Sequence, residues 1–233
     1  MLQGWTFIDT YIEKGMKRIL LGLVFAFAFI VDTFAQVPYY GATVGKEHFF
    51  GYHSLKVRPG INNQRTYTTL QYGVNDWFSI GTDLTTGPDE KFIGYYLRVG
   101  KKFSQWFSAG VQSAPTFDLN DSHKFGYLNT GFFMNGDITK DGKLFWTTNT
   151  WHTVDKDGEQ TFDQYWYLAG KLPTGKNSSF WPHIGLTHSW KFNEDPDLAA
   201  GFFYVYKQYS FYIWGNDFFK EHPRLTLAID FTF

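Results

Sequence analysis

The chain has 233 residues, no cysteine, 18% charged side chains and fifty aromatic rings (9 Trp, 15 Tyr, 26 Phe), with a formal net charge of −1. Ordinary domains carry about 25% charge, and a balance this close to zero gives no basic footprint for nucleic acid. Abundant large apolar side chains exclude a disordered chain. A slightly negative mean hydropathy excludes a bundle of membrane helices, each of which needs about 20 apolar residues in a row.

The one long apolar run, Ile19 to Val31, follows Met16-Lys17-Arg18. At ~1.5 Å per residue it is too short to span a bilayer, but it has the size of a signal-peptide core. Thr33-Phe34-Ala35 supplies the small-residue cleavage chemistry, and Gln36 is the expected first mature residue. A retained signal anchor is the alternative, but Asp32 and Ala35 end the run too cleanly for it. Residues 1–15 fit badly in front of such a segment and read as a mis-called extension, with Met16 the initiator. The expected organisation is therefore 1–15 extension, 16–35 signal peptide and 36–233 a single exported domain. Lys14, Lys17 and Arg18 leave together with Asp9, Glu13 and Asp32, so the 198 mature residues stay at −1. Without cysteine, no disulfide framework supports the exported fold.

From about residue 44 onward the recurring pattern is alternation, broken by Gly, Asn, Asp and Pro clusters. Phe78, Ile80 and Leu84 share one face while Ser79, Gly81 and Asp83 share the other. Ile93, Tyr95, Leu97 and Val99 alternate with Gly94, Tyr96, Arg98 and Gly100, and Phe107, Ala109 and Val111 with Ser108, Gly110 and Gln112. Ile184, Leu186 and Trp190 oppose His183, Gly185, Thr187, Ser189 and Lys191. The pattern predicts strands over 46–58, 64–74, 77–86, 91–101, 106–116, 124–136, 143–153, 161–172, 181–192, 198–207, 209–216 and 223–233, an even count of twelve within a range of 10–14. Tight connections (74–77, 102–105, 207–208) contrast with more polar ones such as 154–159 and 193–197.

A soluble sandwich also alternates, but it turns Lys and Glu outward. Here the second face carries Gly, Ser, Thr, Asn and Tyr, which suits a barrel interior. In lipid every strand edge must be paired, so the strands must close. The expected fold is all-β: an antiparallel, up-and-down transmembrane barrel. Aromatics at strand ends (Phe49, Trp77, Phe107, Phe145, Trp181, Trp190, Tyr209 and Phe218) are expected to form the interfacial girdles.

Arg224-Leu225-Thr226-Leu227-Ala228-Ile229-Asp230-Phe231-Thr232-Phe233 alternates without a miss. It resembles the C-terminal strand of Gram-negative outer-membrane β-barrels, whose terminal aromatic is read by the barrel-assembly machinery. That resemblance implies outer-membrane lipid and the assembly machinery as partners. Leu225, Leu227, Ile229, Phe231 and Phe233 then form the lipid-facing assembly signal, and Thr226, Ala228, Asp230 and Thr232 face the lumen. Leu70-Gln71-Tyr72-Gly73-Val74-Asn75-Asp76-Trp77-Phe78-Ser79-Ile80-Gly81 is similar to a strand-turn-strand of porin-like barrels, including those linked to phenol-degradation pathways. Gln36 directly after the cleavage site is similar to exported proteins of the Bacteroidetes.

The candidate lumen charges are Lys56, Arg58, Arg65, Asp83, Arg98, Asp163, Lys191 and Asp230, five basic to three acidic. About eight strands give a barrel filled by its own side chains. Twelve leave a narrow passage for small solutes unless Tyr67, Tyr96, Tyr127 and Tyr165 fill it, and an open one would mildly prefer anions. The alternative is a closed barrel with a structural or surface-binding role. A third reading is a lipid-modifying hydrolase, a lipid A deacylase or phospholipase, using His152, Asp163 and Ser189, with His152 placed about opposite Asp163. No catalytic motif of such enzymes is present. No cofactor and no metal are expected: His48/His53 and His183/His188 have odd spacings that split each pair across a strand. The acidic stretches Asp137–Gly142 and Asp155–Gly158 lack full calcium-loop spacing and read as turns.

Overall fold

Residues 41–60, 64–190 and 195–233 are described by the structure, a computed structural model. The extension and signal peptide expected over 1–35, and Lys191, lie outside them. The strands are β1 (Phe49–Val57), β2 (Arg65–Asn75), β3 (Phe78–Thr86), β4 (Lys91–Lys102), β5 (Ser108–Asp118), β6 (Lys124–Asp137), β7 (Leu144–Asp155), β8 (Gln160–Gly170), β9 (Leu172–Gly175), β10 (Ser178–Ser189), β11 (Asp197–Tyr206), β12 (Tyr209–Asn216) and β13 (Arg224–Thr232). β9 continues the line of β8 past Lys171, since both pair with β10, through Ala169↔His183 and Leu172↔Phe180. Twelve staves therefore surround the lumen, each antiparallel to its neighbours, and β1 pairs with β13 from Phe50↔Thr232 to Val57↔Leu225 to close the ring.

The alternation read from the sequence fixes which face of each stave looks inward. Leu97, Tyr95 and Ile184 are more than half exposed on the outer face, while Ser79, Arg98, Gln112 and Asn149 are buried on the inner one. A barrel that turns its leucines out and its amides in has the polarity of a membrane barrel rather than of a soluble one. Strand ends follow the turn chemistry. Asn75 Oδ1 accepts the Trp77 amide at 3.0 Å to tighten the β2–β3 turn. Asp155 Oδ1 accepts the amides of Asp157 and Glu159, both at 2.9 Å, around Gly158 at φ 81°. Asp141 accepts from the Lys143 ammonium, the Thr139 hydroxyl and the Lys143 amide, and these bonds hold its carboxyl down to about 2. Both acidic stretches are thus hairpin turns whose carboxylates serve their own backbones. Pro115, which has no N–H to give the ladder, coincides with a gap in the β4–β5 register between Gly94↔Thr116 and Leu97↔Ser113.

The girdle reading needs a correction. Phe49, Trp77, Phe107, Trp190 and Phe218 are exposed near strand ends, and Tyr209 is half-buried. Phe145 and Trp181, however, are 3% and 8% exposed and sit inside the barrel. Trp181 shares parity with His183 on β10, and parity, not proximity to a strand end, decides the face.

If the outer face meets lipid, Leu97→Arg, midway along β4, should cost about 2–4 kcal/mol of folding stability in bilayers. Urea titration of vesicle-folded protein measures this; an unchanged midpoint would contradict a lipid-facing position.

The lumen as candidate functional site

Two ends of the barrel differ. At one end lie the short turns at 76–77, 176–177 and 207–208, the start of β1 and the end of β13. At the other lie connections of seven residues at 58–64, 190–196 and 217–223.

At this second end is a mouth cavity of about 570 Å³, lined by Lys56, Arg58, Arg65, Tyr67, Asp163, Tyr165, Ser189, Asp195, Asp197, Asp217 and Arg224, among others. Asp217 holds the mouth together: its Oδ2 lies 3.3 Å from Arg58 and 3.2 Å from Arg224, joining the ends of β1, β12 and β13. Arg65 pairs with Glu90 at 2.8 Å in the same way. A second cavity of about 500 Å³ continues inward past Tyr67, Tyr127 and Tyr165 to Gln71, Tyr96, Arg98, Gln112, Phe133, Trp151 and Trp214. Charged side chains common to both cavities are Lys56, Arg65, Arg224 and Asp163, three cations to one carboxylate. Lys56 Nζ stands 5.9 Å from the centre of the Tyr67 ring, and the Arg98 guanidinium lies 4.2 Å over Phe133.

Lys56, Arg58, Arg65, Arg98 and Asp163 thus border the cavities. Asp83 and Asp230 point inward but are 7% and 0% exposed, and neither borders a cavity. Asp83 accepts from Thr69 Oγ1 at 2.5 Å, and Asp230 lies across the register from Tyr52 and Ser210. Arg224 was not among the charges singled out in the sequence. Its parity with Thr226 would have placed it in the lumen, but its position at the first residue of β13 concealed that.

At the short-turn end the lumen is not open water. Tyr52, Phe145, Trp181, Phe203, Val205, Tyr212 and Trp214 form an apolar cluster on the inner face of β1, β7, β10, β11 and β12. Phe203 meets Tyr212 edge-on at 4.8 Å, Phe145 meets Trp181 at 6.0 Å, and His183 stacks on Phe203 at 4.5 Å. Across from this cluster, residues 41–47 run along the inner face of the wall before entering β1. Gly41 N donates to Asn135 Oδ1 at 2.6 Å, Arg98 Nη2 donates to the Ala42 carbonyl at 3.3 Å, and the Thr43 hydroxyl donates to the Asp76 carbonyl at 3.1 Å. Thr43 and Val44 are 4% and 5% exposed. The sequence reading began β1 at residue 46 and gave this segment no place.

The hydrolase set does not assemble. Asp163 lies opposite Trp151 rather than His152, and His152 lies on the other face, stacked 4.2 Å from Phe162. Ser189 is across from Asp163 on the inner wall, out of reach of that histidine's face. His53 Nδ1 is 2.8 Å from Thr68 Oγ1, and His183 is among the aromatics described above. Among the described residues no group of three or more His, Cys, Asp or Glu is placed to share a metal ion.

No protein-family model matches the sequence, and no curated protein does. Its three-dimensional likeness is to outer-membrane porins. The KdgM porin aligns with a TM-score of 0.55 and 7% identity over 79% of this chain and 99% of that one. The same porin in complex with disordered oligogalacturonate gives 0.54 and 8%, over 80% and 99%. The NanC porin gives 0.52 and 10%, over 78% and 98%. At such identities the likeness is one of fold: the chain is a closed, twelve-stave antiparallel barrel of the kind found in outer-membrane porins.

The aromatic cluster should brace the wall. Trp181→Ala is expected to lower stability by about 3–5 kcal/mol, read as a fall in urea midpoint. A midpoint within error of the parent would show that the cluster merely occupies space.

Proposed function

We propose that this protein is an outer-membrane channel for small solutes that favours anions. Export by the signal peptide at 16–35 and assembly through the last strand, with Leu225, Leu227, Ile229, Phe231 and Phe233 as the lipid-facing signal, belong to the same reading. The observation that carries it is the excess of cation where the two cavities meet, Lys56, Arg65 and Arg224 against Asp163. In a twelve-stave barrel the interior is too wide for opposing walls to fill completely, and charges left facing an aqueous lumen set its ion preference. Arg58 and Arg224 are partly offset by Asp217, and Arg65 by Glu90. Over the whole lining of both cavities five cations face five carboxylates, Asp195 and Asp197 included, so the excess is confined to the stretch they share and the preference should be mild rather than absolute. Tyr67, Tyr127 and Tyr165 beside these cations give a surface of phenol rings and hydroxyls along which a hydrated or hydroxyl-bearing solute can exchange hydrogen bonds.

Protein refolded into a planar bilayer under a salt gradient should give a reversal potential on the anion side. Lys56→Glu together with Arg224→Glu should move it to the cation side. Clear cation selectivity of the parent would contradict the assignment, and absence of current steps from inserted protein would favour a closed barrel.

A further inference from the structure

We propose that residues 41–45 are a displaceable plug, a strap seated on the glycine-lined inner wall of β2, β4 and β5, whose release widens the passage at the short-turn end. The inference rests on the channel reading above.

The seat is shaped for a backbone, not for a side chain. A Cβ built on Gly100 would lie 2.0 Å from the Gly41 carbonyl oxygen, and one on Gly73 would lie 1.6 Å from the Gly45 oxygen. Both glycines face inward, in phase with Arg98 and Gln71 on their own strands. Any other residue at either position would lift the strap off the wall. Strands of a barrel gain nothing from glycine by itself, so its use where the strap crosses marks the seat as built for that contact.

The strap is held lightly. Up to Lys46 its attachments are four hydrogen bonds, one to Asn135, one from Arg98 and two to Asp76, whose carbonyl accepts the Thr43 hydroxyl and whose Oδ1 accepts Lys46 N at 3.3 Å. Its sequence, Gly-Ala-Thr-Val-Gly, brings no aromatic anchor. Gly45 at φ 95° supplies a pivot. Immediately after it the chain is pinned, with Glu47 N on the Gly73 carbonyl at 2.8 Å and Gly73 N on the His48 carbonyl at 2.9 Å. The opposite half of this end is interlocked aromatics on five staves. Of the two bodies occupying this end, only the strap can leave without breaking the wall.

The cysteine-free chain allows a clean test in planar bilayers. Thr43→Cys with Asp76→Cys should lock the strap when oxidised, depressing the current step below the parent's, and reductant should restore it. Gly100→Val should evict the strap and raise the current step above the parent's. Equal steps from the parent, Gly100→Val and both redox states of the cysteine pair would overturn the plug while leaving the channel standing. Silence from all of them would overturn both. If Gly100→Val does not insert, the redox response of the cysteine pair, which disturbs no glycine, decides alone.

Discussion

Closure of the hydrogen-bonded ring is the constraint on which everything else depends. In a hydrocarbon layer an unpaired N–H or C=O costs several kcal/mol, so the β1–β13 ladder is as necessary as any hairpin between consecutive strands. Once the ring is closed, the period of two leaves each residue only two destinations. Leu225 and Leu227 go out and Thr226 and Asp230 go in, and neither can move without slipping the whole stave by one residue. The low charge of the chain fits the same constraint, because an outer face turned to lipid has no bulk-water surface on which Lys and Glu are needed.

Twelve staves set the width, and the width creates the need for the interior solutions seen here. The wall cannot fill its own centre. At the mouth the space remains a cavity lined with charges, tied in pairs such as Arg224–Asp217. At the other end it is taken up by the Phe203–Tyr212–Trp214 side and by the strap at 41–45. The fifty aromatics therefore divide between two tasks. Some, such as Trp166 and Phe132, are exposed on the outer face, and others, such as Phe133 and Tyr212, are buried inside.

The fold was legible because the alternation is nearly unbroken and the turns are chemically marked. Strand limits expected at 91–101, 124–136 and 209–216 differ from those observed by at most one residue. The break at Lys171 that separates β8 from β9 left no trace in the pattern. Inward-facing charges were readable by parity, as with Arg98, but parity could not tell a residue bordering water from one covered by its neighbours. Asp230 looks the same in sequence as Asp163, yet it is fully covered beside Tyr52 and Ser210. Phe145 and Trp181 were misplaced because a girdle was inferred from strand ends when their own strands' phase pointed inward. The strap was invisible for a deeper reason. Gly41 to Gly45 has no periodicity, and its place is recorded only at Gly73 and Gly100, residues far away in the chain that look like ordinary interruptions of a strand.

A membrane-spanning barrel of this polarity requires one face of every stave to meet lipid and the other not. Single cysteines carrying an environment-sensitive fluorophore, placed in turn at residues 94 to 99 of β4 in vesicle-folded protein, test it directly. A quencher attached to the lipid chains should quench positions 95, 97 and 99 and spare 94, 96 and 98. Uniform quenching along the run, or none at any position, would contradict a membrane-spanning barrel with this polarity.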